Sequence, residues 1–247
     1  MNRRGAHMLD LPRFATSPHH VRALDFGHIL VLINYRSGHV QCLLPAAANL
    51  WRATAVTGDL GDMAPALAVR LLGTGLLIPT AAPRPWPDVL TAEPAPASWG
   101  SAEHLAGTDC PPHVPARSGI AAAAALATVF VVKHAGDDTA VMHRVITLLR
   151  AATASCRLAA TPSQAEAAVV AVRYAGWYSP GRTACLEESA AAALLLASRR
   201  RAVIWCHGIA SDPVRLHAWV QTVDGSPVAE PPSTLVNGLV VLPVGGQ

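Results

Sequence analysis

The sequence predicts an α+β protein of two domains, and three observations carry that reading. Short apolar runs between residues 21 and 44 alternate with turn residues, and two stretches of helical spacing follow them. A proline-rich segment then interrupts the periodicity: nine of the twenty prolines fall between Pro79 and Arg117. Beyond it come several helical patterns and then two apolar strand-like runs, VIWCHGI and LHAWVQTV. Strands and helices are thus segregated along the chain, as in α+β folds, rather than strictly alternating. The boundaries that follow are 1–80 for the first domain, 81–117 for a linker and 118–247 for the second.

Composition sets the limits. In 247 residues, 51 % are hydrophobic and 14 % charged, which excludes disorder for most of the chain and gives each domain enough apolar material for its own core. The net charge of +3 comes from 18 arginines and one lysine, Lys133, spread along the sequence, so no nucleic-acid partner is indicated. Arg199, Arg200 and Arg201 form the only basic run and suit the negative end of a helix dipole. Five cysteines, Cys42, Cys110, Cys156, Cys185 and Cys206, are an odd number without paired metal-type spacing. A reducing cytoplasm is the expected setting, with neither metal nor cofactor. Cys110 has His104 and His113 nearby, but one cysteine without a second pair makes a poor ligand set. The opening MNRRGAHMLDLPRF lacks the apolar core of a secretory signal. The longest apolar run, Ile120 to Val132, has 13 residues against the roughly 20 that span a bilayer, so a buried helix and no membrane partner are expected.

Taken in order, VRAL, HILVLIN and VQCLL read as three antiparallel strands punctuated by Gly27 and Gly38. Pro45 opens a helix at the position proline tolerates, and Ala47, Leu50, Trp51 and Ala55 recur at helical spacing up to Gly58. Asp62 is the expected cap of a second helix through Leu67 and Leu72, ended by Gly73 or Gly75 before LLIP. The linker shows no periodicity. Helical patterns resume from Gly119 to Lys133 and from Ala140 to Ala152, with a Gly136–Asp138 turn between them. Thr161, Pro162 and Gln164 spell a capping box for a helix reaching toward Trp177.

The most informative stretch begins at Ser179. Pro180 and Gly181 make a turn, and Cys185 then falls in the first turn of the helix CLEESAAAALLLAS. Helix N-termini favour a thiolate, because unpaired backbone N–H groups point at the sulfur. The magnitude matters: at an ordinary thiol pKa about 3 % is ionised at pH 7, whereas a pKa near 6 gives about 90 %. His217 follows on a strand, and a cysteine at a helix start with a later strand histidine is the layout of papain-like nucleophilic catalysis. A third group must orient the imidazole, and only Asp224 and Glu230 lie downstream. Asp224 precedes Gly225 in a hairpin-turn pair about seven residues from His217, roughly 23 Å along a regular strand. Glu230 is on the returning segment and is the expected third member, with Asp224 the alternative. Cys206 and His207 are adjacent on a strand, so they face opposite sides and read as structural. Trp219 shares a face with His217, either as core packing or as a wall beside the imidazole.

At residue level a family resemblance can be stated. GRTACLEES, then HAW at 32 positions beyond the cysteine, then a DG turn and a proline-flanked acid resemble the transglutaminase-like cysteine protease of lasso-peptide biosynthesis, the B protein. Arg182, Cys185, Leu186, Ser189, His217, Ala218, Trp219, Asp224, Gly225 and Pro227 carry the likeness, from about Thr161 onward. The chain departs from the usual HAWVE pattern: it reads HAWVQ with one extra residue before Asp224, and Glu230 falls where an Asp is often found. SGHVQCLLPAAANLW and LLGTGLLI likewise resemble the PqqD-like precursor-recognition element, a winged helix-turn-helix fold. The resemblance implies a leader-binding domain fused to a papain/transglutaminase-like protease that removes the leader of a ribosomal precursor. An asparagine-synthetase-like lasso cyclase would be the partner that then closes the macrolactam. It also implies β-augmentation of the leader on Val40, Gln41, Cys42, Leu43 and Leu44, beside a second helix contributing Leu67, Arg70 and Leu71. Winged helices also bind DNA, but ALAVRLLGTG offers the groove a single arginine. Two other functions stay open at this level: acyl transfer to an amine from the same acyl-enzyme, and a non-catalytic module that delivers precursor to other enzymes.

Overall fold

The structure is a computed structural model that describes residues 11–91, 112–211, 214–230 and 239–241. Two compact units divide the chain, Met1–Thr91 and Ala92–Gln247.

The first unit runs β1 (Phe14–Thr16), β2 (Val21–Asp25), β3 (Leu30–Asn34), β4 (Val40–Leu43), α1 (Pro45–Thr57), α2 (Pro65–Gly73), β5 (Ile78–Thr80) and β6 (Leu90–Thr91). β2, β3 and β4 form the antiparallel meander that the apolar runs predict, turning at Gly27 and Gly38, both with positive φ. All five residues of β3 are buried, so both faces of the central strand are covered. Leu30 and Leu32 pack with Trp51 of α1, Ala68 and Leu71 of α2, and Leu76 and Leu77 beyond it. Pro45 is the first residue of α1, and Gly58 ends it at φ +76°. Glycine is required there twice over, since a Cβ would lie 2.6 Å from the Arg84 carbonyl and 2.8 Å from that of Ala15.

Three expectations for this unit change. Asp62 caps no helix: Asp59 caps a short 3₁₀ turn, Leu60–Asp62, and α2 starts at Pro65 after Ala64. Proline at the first helical position needs no N–H partner and so replaces the side-chain cap. α2 ends in a Schellman motif, in which the amides of Gly75 and Leu76 donate to Leu72 and Leu71. The stretch read as linker from residue 81 packs on the first unit as far as Thr91. Trp86 is 7 % exposed, stands edge-on to Trp51 at 4.5 Å and donates its indole N–H to the Ala15 carbonyl at 2.8 Å. β6 pairs in parallel with β2, and β5 pairs with β1. These strands are two and three residues long, one with a proline, too short to show alternation in the sequence. Residues 92–111 of the expected linker, with His104 and Cys110, lie outside the described residues.

The second unit contains α3 (Ala116–His134), α4 (Val141–Thr153), β7 (Leu158–Ala159), α5 (Pro162–Trp177), α6 (Cys185–Ser198), β8 (Arg201–Ala202), β9 (Ile204–Ser211), β10 (Val214–Gln221) and β11 (Leu239–Val241). α6 is its axis, touching α3, α4 and α5 on one side and β9 and β10 on the other. Ala190, Ala191, Ala192 and Ala193 are all buried, and these small side chains let neighbours approach the helix closely. β9 is the centre of an antiparallel sheet ordered β10-β9-β11. α5 opens with the predicted capping box: Thr161 Oγ1 accepts from the Gln164 amide and Gln164 Oε1 from the Thr161 amide. Two further expectations change. Only Arg199 caps α6; Arg200 takes a left-handed φ of +57° and Arg201 enters β8. α3 is less buried than expected. Ala122, Leu126 and Val129 form its buried face, whereas Ile120 and Val131 are exposed. By length and composition α3 could cross a membrane, and it is the one such helix among the described residues.

Candidate active site

Cys185 is the first residue of α6, preceded by Ala184 in extended conformation. Its sulfur therefore sits at the helix end where the first backbone amides have no intrahelical acceptor. Glu187 finishes the turn by accepting from the Ala184 amide at 3.1 Å, and its other oxygen is held by Lys133 of α3 in an ion pair. Glu187 is 3 % exposed, so the chain's only lysine neutralises a buried carboxylate two residues from the thiol. Trp205 of β9 donates to the Ser189 hydroxyl at 2.9 Å, pinning the next turn of α6 to the sheet.

His217 lies on β10 opposite Gly208 of β9. Trp219, two residues on, stacks on the imidazole with centroids 5.6 Å apart and planes 11° from parallel, while itself almost fully buried. It is thus both core and wall. After β10 the chain turns at Thr222–Ser226. The Thr222 amide donates to the Ser226 carbonyl at 3.0 Å, and Gly225 takes φ +88°. Asp224 serves this turn. It accepts from the Thr222 hydroxyl and from the Ser226 amide, and these bonds hold its carboxyl below the usual range. The return bridges Pro227 to Gln221, and Val228 donates to Val220 at 3.0 Å. Ala229 then adopts φ +52°, which ends the pairing and turns Glu230 inward. Glu230 Oε2 lies 2.8 Å from His217 Nε2, leaving Nδ1 as the nitrogen for the sulfur.

Cys185, His217 and Glu230 thus meet, and Asp224 stays in its turn. Burial pulls the His217 pKa down, but hydrogen bonds with Cys185 and Glu230, together with the charges on both, outweigh it and raise the value to about 9. At neutral pH the imidazole holds its proton. The neighbouring pair behaves differently. Burial pushes Cys206 up to about 12 and His207 down to about 4, the latter helped by repulsion from His217. A fully buried thiol beside a neutral histidine has no nucleophile to offer.

Around the acid the structure adds residues that sequence reasoning missed. Arg173 of α5 donates through Nη1 to the Ala229 carbonyl at 2.8 Å and through Nη2 to Glu230 Oε1 at 2.9 Å. Its Nε lies 3.8 Å from Glu188 Oε2, and Glu188 also accepts from the Thr183 hydroxyl at 2.7 Å. The available signal was a lone arginine in the otherwise apolar run VVAVRYAGW, directly before the turn to Cys185. In the first unit, Leu43 and Leu71, expected at a leader groove, are core residues, 3 % and 0 % exposed. Their spacing on an apolar face fits packing equally well. Cys42, Leu44 and Arg70 are exposed, with Val40, Gln41 and Leu67 half-buried. Among the described residues, no cluster of three or more His, Cys, Asp or Glu is placed to hold a metal.

Residues 123–241 match the model of the transglutaminase-like superfamily, so the second unit contains a domain of that superfamily. No curated protein and no solved structure matches the chain. The match contains Cys185, His217 and Glu230, and a thiol acyl-transfer enzyme, whether protease or transglutaminase in type, is compatible with it.

Proposed function

We propose that the protein is a cysteine peptidase that removes the leader from a ribosomal lasso-peptide precursor, before an asparagine-synthetase-like cyclase closes the ring. The observation that carries the chemistry is the chain of contacts from Cys185 through His217 to Glu230. The Cys185 thiolate attacks the scissile carbonyl, and the oxyanion develops beside the Cys185 backbone N–H at the start of α6. His217 gives its proton to the leaving amine, and the core peptide departs. The neutral imidazole then takes a proton from water, whose oxygen attacks the thioester, and keeps that proton as the sulfur leaves as thiolate and the leader acid is released, which restores the starting pair. Glu230 keeps the ring in register and stabilises its charged form.

The leader-binding half of the proposal draws on the N-terminal sheet. β4 lies at one edge of the order β4-β3-β2-β6, whereas β6 covers the other. An extended peptide can add to such an edge through main-chain hydrogen bonds. The test is to incubate the full chain with a precursor encoded beside its gene and weigh the products. Two fragments summing to precursor plus one water support the proposal, and Cys185→Ala should lower the rate by at least about a hundredfold, because triad members act as a unit. Adding an amine separates hydrolysis from acyl transfer, since a leader–amide product would replace leader acid. Intact precursor in every arm, cyclase included, would overturn the reading.

A further inference from the structure

We propose that Arg173 is a positioning residue of the thiol site, a three-way clamp that holds Glu230 against His217 and ties that acid to the segment carrying Cys185. The inference rests on the reading of Cys185 and His217 as a working pair and adds the device that sets their geometry.

Glu230 follows Ala229, which adopts φ +52° without being glycine, a conformation that L side chains disfavour. Something must hold this turn, and the Ala229 carbonyl is gripped by Arg173 at 2.8 Å. The same guanidinium takes the Glu230 oxygen that His217 does not use, so the buried carboxylate is fixed at both ends. Its remaining edge faces Glu188 on α6, one turn beyond Cys185, and Glu188 in turn accepts from Thr183, two residues before Cys185. A circuit results: sulfur, imidazole, Glu230, Arg173, Glu188, Thr183, and back along the backbone to the sulfur. Gly176 belongs to it as well. It lies one turn after Arg173 on α5, and a Cβ there would stand 2.9 Å from Thr183 Oγ1. Only a planar fork meets a carbonyl and a carboxylate side by side while presenting a third N–H; a lysine ammonium holds them less well. Arg173 has no contact with the reacting atoms. It acts through Glu230.

Alkylation of Cys185 by iodoacetamide tests this without a substrate. The full chain, its R173M, R173K and E230Q variants and the R173M/E230Q double variant are treated from pH 4 to 9. Peptide mass spectrometry reads Cys185, with exposed Cys42 as the reference thiol in each tube. A paired thiolate in the wild type should react at least about tenfold faster than Cys42 at pH 6. R173M should lose about tenfold and R173K roughly threefold, and the double variant should fall within about threefold of either single, because both substitutions break one interaction. R173M within about twofold of the wild type, or single losses that multiply in the double, would overturn the clamp while leaving the pair intact. Thermal melts show whether each variant is folded; should R173M not fold, an unchanged R173K profile overturns the proposal. A wild-type Cys185 no faster than Cys42 removes the catalytic pair, and the clamp with it.

Discussion

His217 and His207 stand ten positions apart on paired strands, and their surroundings drive them in opposite directions. Held by Cys185 and Glu230, His217 binds a proton more tightly folded than unfolded, its pKa rising from the ordinary 6.5 to about 9. The stability this contributes is complete below about pH 6.5 and is lost as pH climbs toward 9. His207 is buried and pushed down to about 4, so its contribution is complete above about pH 6.5 and is lost as pH falls toward 4. Melting temperature against pH should therefore slope down on both sides of neutrality. Glu230→Gln should flatten the alkaline limb, and His207→Gln the acid limb; a profile that neither variant changes would show that other groups set both. Activity should fade above about pH 9 as the imidazolium is lost. Glu230→Gln should slow the reaction by at least about tenfold, with Asp224→Asn acting mainly through the turn it holds.

Between residue and molecule the elements carry their own tolerances, most tightly where β9 passes β10. Gly208 lies opposite His217, and a Cβ there would stand 2.9 Å from two atoms of the Trp219 ring. That ring is buried and is also the surface on which the imidazole stacks, so it has little room to yield. Gly208→Ala should cost about 1–3 kcal/mol in urea unfolding and slow Cys185 alkylation, because overpacking one face of the pair displaces the other. A variant equal to the wild type in both would mean that the ring can slide. Helices whose signals are local were readable in advance: the Thr161 capping box, Pro45 at the head of α1 and Cys185 at the head of α6 are each written in a few adjacent residues. The same holds for the Asp224–Gly225 turn, whose position makes Glu230 the acid near His217. Arg173 was not legible, because its three partners lie 15, 56 and 57 positions away and no local pattern announces them.

At the scale of the whole molecule the sequence divides where its prolines gather, and the structural division, after Thr91, falls inside that stretch rather than at its start. Residues 81–91 carry Trp86 into the first core, so a fragment ending at Thr91 should unfold cooperatively. One ending at residue 80 should be weaker by about 3–5 kcal/mol, the cost of removing a buried tryptophan. Equal denaturation midpoints for the two fragments would show that Trp86 contributes nothing to that core. Composition signalled a boundary region but not its edge, since a single aromatic among prolines has no period to betray its burial. One property belongs to the entire chain. Lys133 is its only lysine, and that ammonium is committed to Glu187, beside the very helix end that holds the thiol. An acyl group carried on Cys185, as the proposed mechanism requires, would meet no lysine side chain of this sequence but the one paired with Glu187. Any further lysine side chain that such a thioester accepted would come from another protein, which leaves amine-bearing probes little lysine competition from the protein itself.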